Sequence, residues 1–322
     1  MAITSEMSLV QAGFGTQNFG RLLLSDEPTI DQYGAVGRNV GTFVDVSAQR
    51  DALWTLLHGL GTNNGSEVGT AVVAMQYGFA HQLSDGSFQF AGSDPTQAAG
   101  AASFFLGAFG RSYLAMKNSW AGTSAMQALL PAYGKSLHWL QTQVSGLMQQ
   151  HSGTTNRLIF DAMAFLLGGN IVGDTSLIAT GNQFLGQALA NQQTDGSFLE
   201  AGGADTSYQA VSMLNLAILL ADSPNINKAQ VTTALTSALN WELARIQANG
   251  AVSIADNTRT GAGQEIGPSG QLKQVNYSEV SLALNYAATE LGSAAAADAA
   301  NRVTSYYRNC PGGRIGGSGG DG

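Results

Sequence analysis

Charge is what this 322-residue sequence has least of. Asp, Glu, Lys and Arg together make up 11% of it, under half the usual share. The 14 Lys and Arg residues form no basic run, and the formal net charge is −8. Nucleic-acid binding, which draws its affinity from clustered cations, is therefore excluded as an expectation. An anionic polymer stays admissible, because a few Arg side chains in a cleft can reverse the local field. Cysteine is nearly absent: Cys310 stands alone at the head of a Gly-rich end, so no intrachain disulfide and no Cys-based metal site can form. No His-x-x-x-His or comparable ligand spacing implies a metal either. No apolar run reaches about 18 residues, so no membrane span is expected. The opening Met1-Ala2-Ile3-Thr4-Ser5-Glu6 has neither the basic nor the apolar part of a signal peptide.

What fills the space is hydrophobic residues at 44%, enough for a sizeable core, together with 41 Gly and many Ser, Thr, Asn and Gln. A polar but uncharged surface is common in exported bacterial proteins. The expected location is secreted or periplasmic, with the signal cut away and Met1 added for expression.

Self-similarity is the strongest positive signal. One copy reads His81-Gln82-Leu83-Ser84-Asp85-Gly86-Ser87-Phe88, followed by Asp94-Pro95-Thr96-Gln97. Another reads Asn191-Gln192-Gln193-Thr194-Asp195-Gly196-Ser197-Phe198, followed by Asp205-Thr206-Ser207-Tyr208. Looser copies start near 58, 148 and 247, the last resuming at Asn276-Tyr277-Ser278-Glu279. In each, an amphipathic helix ends, an Asp-Gly or Asn-Gly pair turns the chain, and a hydrophobic residue is tucked in. A polar loop then reaches a new helix that opens on a capping residue. That new helix is apolar nearly all round, as in Ala210–Leu220, and so must be buried all round. The intervening helices are amphipathic, as in 228–247. An inner ring of buried helices wrapped by an outer amphipathic ring satisfies both patterns. The expected fold is all-α, an α/α toroid of roughly five to seven helical hairpins, forming one domain over 1–308 with a flexible Gly-rich tail at 309–322.

The Gln-x-x-Asp-Gly-Ser-Phe element, followed by a capped apolar helix, resembles the α/α-toroid proteins: terpenoid cyclases, protein prenyltransferases and several polysaccharide lyase families. The sharp motif covers about 30 residues, twice, although the likeness of architecture covers most of the chain. The sequence lacks the Asp-x-Asp-Asp of a class II cyclase, the Cys of a prenyltransferase zinc site and the Cys-Gly-Glu-Gln of a thioester protein. The polysaccharide-lyase branch is left. That resemblance implies a toroid cavity, a catalytic Tyr or His, and an Asn, Gln, Arg or His that neutralises a uronate carboxylate.

In a toroid the inner helices start at one end of the ring, where free N–H groups and helix dipoles favour anions. The expected substrate-binding residues at such starts are Asn63, Asn64, Gln97, Glu200, Asp205 and Glu279, and the expected catalytic set is Tyr208, Asn156, Arg157, His151 and Tyr277. Tyr208 and Tyr277 occupy similar places and suit proton transfer at C5 of a uronate and at the leaving oxygen. Either can instead be a packed ring bonded to a loop. Arg157 opposes the helix dipole, so a substrate anion or Asp161, four residues on, must hold it. Asp85, Asp195 and Asn249 recur in turns and are architectural. The expected function is a polysaccharide lyase that acts on a uronate glycan by β-elimination, as a monomer, without metal or other cofactor. The alternatives are a glycoside hydrolase using carboxylates such as Glu200, Asp205 or Glu279, and a non-catalytic glycan-binding toroid.

Overall fold

The computed structural model describes residues 5–16, 19–24, 29–117, 123–261, 265–266, 270 and 272–309. Among these residues are fourteen α-helices, and extended pairing occurs only as isolated bridges. The first seven are α1 (Glu6–Phe14), α2 (Phe19–Leu23), α3 (Ala52–Thr62), α4 (Gly65–Ala80), α5 (Pro95–Met116), α6 (Thr123–Ala128) and α7 (Leu130–Thr142). The rest are α8 (Val144–His151), α9 (Thr155–Val172), α10 (Thr175–Ala190), α11 (Thr206–Asp222), α12 (Lys228–Arg245), α13 (Tyr277–Leu291) and α14 (Ala294–Asn309). From Cys310 on, the stretch read as a tail lies outside the described residues.

The chain groups into two compact units, one of residues 1–25, 151–159 and 186–321, the other mainly of residues 26–150 and 160–185. Each pairs enclosed helices with flanking ones. In the first, α11 is buried from Thr206 to Ala221 and α13 from Val280 to Ala287. They pack on each other, with α12 against α11 and α14 against α13. By contrast α12 buries one face, chiefly Val231, Ala234, Leu235, Ala238 and Leu239, the spacing of an amphipathic helix. In the second unit α5 is the enclosed helix, packed by α3 and α7, while α4 lies on α3.

The repeat has one physical meaning. At 81–89 and 191–199 the same three backbone bonds close a tight hairpin: Gln89 N–H to His81 O, Leu83 N–H to Ser87 O and Gly86 N–H to Leu83 O, matched by Leu199 to Asn191, Gln193 to Ser197 and Gly196 to Gln193. The Asp accepts the backbone N–H and the hydroxyl of the following Ser, as Asp195 does from Ser197 at 3.0 and 2.7 Å. The Gln reaches the next flanking helix, Gln82 donating to Ala132 O and Gln192 to Ala234 O. The aromatic ring is buried, Phe88 and Phe198 alike, worth about 1.5–3 kcal/mol each. The glycine is required twice over. Gly86 and Gly196 have φ of 97° and 95°, and a methyl group on either would run into the backbone carbonyl of Lys135 or Ser237 on the flanking helix.

The looser copy expected near 247 takes this form, and so does a stretch near the chain start that the sequence hides. Residues 29–37 and 245–253 form the same three bonds, with Gly34 and Gly250 against the carbonyls of Val73 and Arg302. The copies expected near 58 and 148 do not take this form. Residues 58–62 are the end of α3, and Asn63 and Asn64 link it to α4, Asn63 capping α3 in a left-handed conformation. Residues 151–154 are a short link tied to the neighbouring turn by Ala201 N–H to Gly153 O and Thr155 N–H to Leu199 O. The same pairing joins residues 265–266 to 272–273, the Ile266–Leu272 bridge and the Lys273 N–H to Glu265 O bond standing where Gln82–Phe88 and Gln89–His81 stand. Here the pattern changes, because Ile266 and Leu272 are exposed.

The glycine requirement is testable. Gly196→Ala is expected to destabilise the protein by roughly 1–3 kcal/mol, from positive φ alone before the carbonyl clash. Gly69→Ala, in the middle of α4 with open space around it, is expected to stabilise by about 0.5–1 kcal/mol. Opposite shifts of the urea midpoint check both.

Candidate functional site

The start of α11 is where charge collects. Asp205 caps the helix, its Oδ1 accepting the N–H groups of Ser207 and Tyr208. The cap places Tyr208 at the third helical position, with its side chain directed to the segment that connects α12 to α13. The Tyr208 hydroxyl donates to both oxygens of Glu265 at 3.1 Å and accepts from the Lys273 ammonium. The Arg259 guanidinium lies 3.7 Å from the centre of the Tyr208 ring, and the Lys273 ammonium 4.4 Å from it. Arg259 also spans two carboxylates, donating from Nε to Glu265 at 2.9 Å and from its other side to Glu200 at 2.5 Å.

Glu200 is almost wholly buried, and its carboxylate accepts from Arg259 and from the backbone N–H of Asn156 at the start of α9. Burial pushes it up to about 7, against the opposing pull of Arg259. Burial thus favours its neutral form far more than that of an ordinary exposed carboxyl. Burial works against the charge on Arg259, but Tyr208, Glu200 and Glu265 outweigh it and raise its pKa. Tyr208 is buried, whereas the side chains of Glu265 and Lys273 are 25% and 23% exposed, so the cluster meets solvent on their side.

Of the residues singled out in the sequence, Tyr208, Glu200, Asp205 and Asn156 converge here. Asn156 is buried, with its Oδ1 lacking a hydrogen-bond partner among the described residues. Arg157 follows it in the same first turn of α9 and is half-buried; His151 is buried at the end of α8, its carbonyl accepting from Thr154. Asp205 is saturated: its oxygens take five hydrogen bonds, from Ser207, Tyr208, Arg259 and, twice, Thr260. No acceptor site remains for a substrate proton, so its expected substrate contact gives way to a structural one. Tyr277 is elsewhere. It is the first residue of α13, its oxygen accepts the Val252 N–H at 3.4 Å, and its ring lies on Tyr306 and Tyr307. Counted from the cap Asn276, the counterpart of Tyr208 is Glu279, whose N–H bonds that cap. Asn63 and Asn64 cap α3 and α4, Asn64 also bonding Glu67, and Gln97 is an exposed first-turn residue of α5; all three belong to the other unit. Asp161 accepts from Ser103.

Arg259, Glu265 and Lys273 were not among the sequence candidates, yet a signal for them exists. The turn-to-cap interval is nine residues after Asp85, ten after Asp195 and twenty-seven after Asn249. An insertion that carries Arg, Glu and Lys in a charge-poor chain is where function concentrates. Among the described residues no group of His, Cys, Asp and Glu is placed to hold a metal ion, and no helix is long and apolar enough to cross a membrane.

No family model matches the chain, and no curated protein matches it. Among solved structures it is similar to an unsaturated glucuronyl hydrolase from Bacillus sp. GL1, responsible for the degradation of glycosaminoglycan, with TM-score 0.55, 13% identity and coverage of 94% of this chain and 82% of that one. It is also similar to a sugar epimerase from a ruminal bacterium, with TM-score 0.52, 9% identity and coverage of 89% and 87%. At such identities the likeness shows the fold: all-α, of the α/α-toroid class.

One buried carboxyl bears directly on stability. Glu242 of α12 is fully buried, and neither carboxylate oxygen has a hydrogen-bond partner among the described residues. Burial, with help from Asp205 and against Arg245, pushes it up to about 8 from 4.5. Between those values the folded state holds a proton that the unfolded chain has released, so stability falls as pH rises through this window. Glu242→Gln is therefore expected to be the more stable protein by roughly 4 kcal/mol at pH 8, the gap closing below pH 4.5. Urea titrations across that range measure it.

Proposed function

We propose that the protein cleaves a uronate-containing glycan by β-elimination, with Tyr208 as the proton-transfer group. The observation that carries this reading is the position of the Tyr208 oxygen, between the Lys273 ammonium and the Glu265 carboxylate, with Arg259 on the ring face. Passing the phenol proton to Glu265 leaves a phenolate that two cations stabilise. The phenolate takes the C5 proton of the uronate, the C5–H electrons form the C4=C5 double bond, and the C4–O bond breaks. The leaving oxygen takes a proton back from Tyr208, so no water is consumed. Negative charge that builds on the substrate carboxylate needs a cation or a donor. Arg259 supplies it once Glu200 is protonated and releases it, with the Asn156 amide beside it. The likeness to a glycosaminoglycan-degrading hydrolase and a sugar epimerase supports a glycan substrate, and the uncharged polar composition fits work outside the cytoplasm.

A second reading has its own observation. Glu200, raised by burial to about 7, and Glu265, bonded to the same Arg259, form a carboxyl pair of the kind that glycoside hydrolases use. The two separate in one assay on alginate, glucuronan, pectate and glycosaminoglycans. Elimination predicts a rise in the ultraviolet band of unsaturated uronates, lost about 100-fold or more in Tyr208→Phe. Hydrolysis predicts reducing ends without that band, lost in Glu200→Gln and kept in Tyr208→Phe. Binding without product on every glycan contradicts both.

A further inference from the structure

Asp205 does more than cap a helix. A cap needs one acceptor oxygen, and in this chain an amide often suffices: Asn64, Asn227 and Asn276 cap α4, α12 and α13 through a side-chain carbonyl. Asp94 caps α5 with Oδ1 alone, exposed to solvent. Asp205 is buried and uses both oxygens. Its Oδ1 serves α11, while its Oδ2 accepts the backbone N–H groups of Arg259 and Thr260 at 3.0 and 2.6 Å. The segment it grips is stitched to the same helix start in other ways. Thr206 N–H donates to Asn257 Oδ1 at 3.1 Å, Asn257 Nδ2 donates back to Thr206 Oγ1 at 3.0 Å, and Thr258 N–H donates to Ala204 O at 3.0 Å.

We infer that Asp205 is a positioning residue whose Oδ2 holds the Arg259 guanidinium over the Tyr208 ring. Tyr208 is the third residue after Asp205, and the carboxylate is bonded directly to the backbone of Arg259. One side chain thus fixes the distance between the phenol and its cation. The inference rests on Tyr208 as the proton-transfer group proposed above. An aspartate is needed because only a carboxylate presents a second acceptor there. An amide at 205 keeps the cap through its oxygen but turns N–H donors toward the N–H groups of Arg259 and Thr260.

Asp205→Asn therefore isolates the second oxygen. The direct readout is the ionisation of Tyr208, taken as the ultraviolet difference between each protein and its Tyr208→Phe counterpart across alkaline pH. The wild-type phenol is expected to ionise at lower pH than that of Asp205→Asn, by roughly one pH unit. On a glycan that the wild type cleaves, kcat/KM should fall about 10- to 100-fold, with the thermal midpoint retained. Asp205→Ala, which loses the cap as well, should lower both. If Asp205→Asn does not fold, Asp205→Ser, whose single hydroxyl oxygen can still cap the helix but leaves the N–H groups of Arg259 and Thr260 without their acceptor, should move the same ionisation upward. An unmoved titration in the folded variants overturns the inference even where the enzyme is active. A shifted titration with no activity on any glycan upholds the positioning role and refutes the catalytic reading instead.

Discussion

A glycine pressed against a carbonyl oxygen is the contact on which the rest of this molecule depends. In four hairpins the chain turns with positive φ so closely on a flanking helix that no side chain fits between them. At 81–89 and 191–199 the neighbouring Gln, Asp and Phe then fall into place, on the flanking helix, the turn and the core. The cost of a left-handed residue is avoided by glycine, and buried backbone groups find partners, as they must. Enclosed helices such as α11 and α13 can be apolar all round because these hairpins deliver the chain to their starts without leaving polar groups unmet.

The candidate site is built by changing that device rather than by adding another. The pairing of residues 265–266 with 272–273 repeats the hairpin bonds, but Ile266 and Leu272 are exposed instead of tucked in. What anchors it is charge. Glu265 and Lys273, at its two ends, grip Tyr208 and Arg259. In this charge-poor protein the Arg259–Glu200, Arg259–Glu265 and Lys273–Glu265 pairs meet in one place. Buried pairs of this kind stabilise a fold weakly, since desolvation offsets attraction, and are better explained by the chemistry they permit.

The helical repeat was legible in the sequence because Asp-Gly and Asn-Gly leave few conformations open and because all-round apolarity has only one physical outlet. The copy at 29–37 was not legible: Asp31-Gln32-Tyr33-Gly34 keeps the glycine but replaces the polar grammar around it. Tyr208 and Glu200 were readable as departures from the repeat. Asp205 was readable as a cap, but its second oxygen was not, since its partners lie 54 and 55 positions away. Tyr277 and Tyr208 read alike in sequence, whereas the caps Asp205 and Asn276 set the register and give the place of Tyr208 to Glu279. Arg259, Glu265 and Lys273 lie on an insertion without helical periodicity, where pattern says little and only its length speaks.

Elimination and hydrolysis differ in one atom, and that atom decides the account. In elimination the bond to the glycosidic oxygen breaks without water, so products formed in heavy-oxygen water carry none of the label. The account predicts unlabelled products, each pair lighter by one water than a hydrolysed pair, when the protein cuts a uronate glycan. One heavy oxygen per cut, seen by mass spectrometry, would contradict it and assign the chemistry to Glu200 and Glu265.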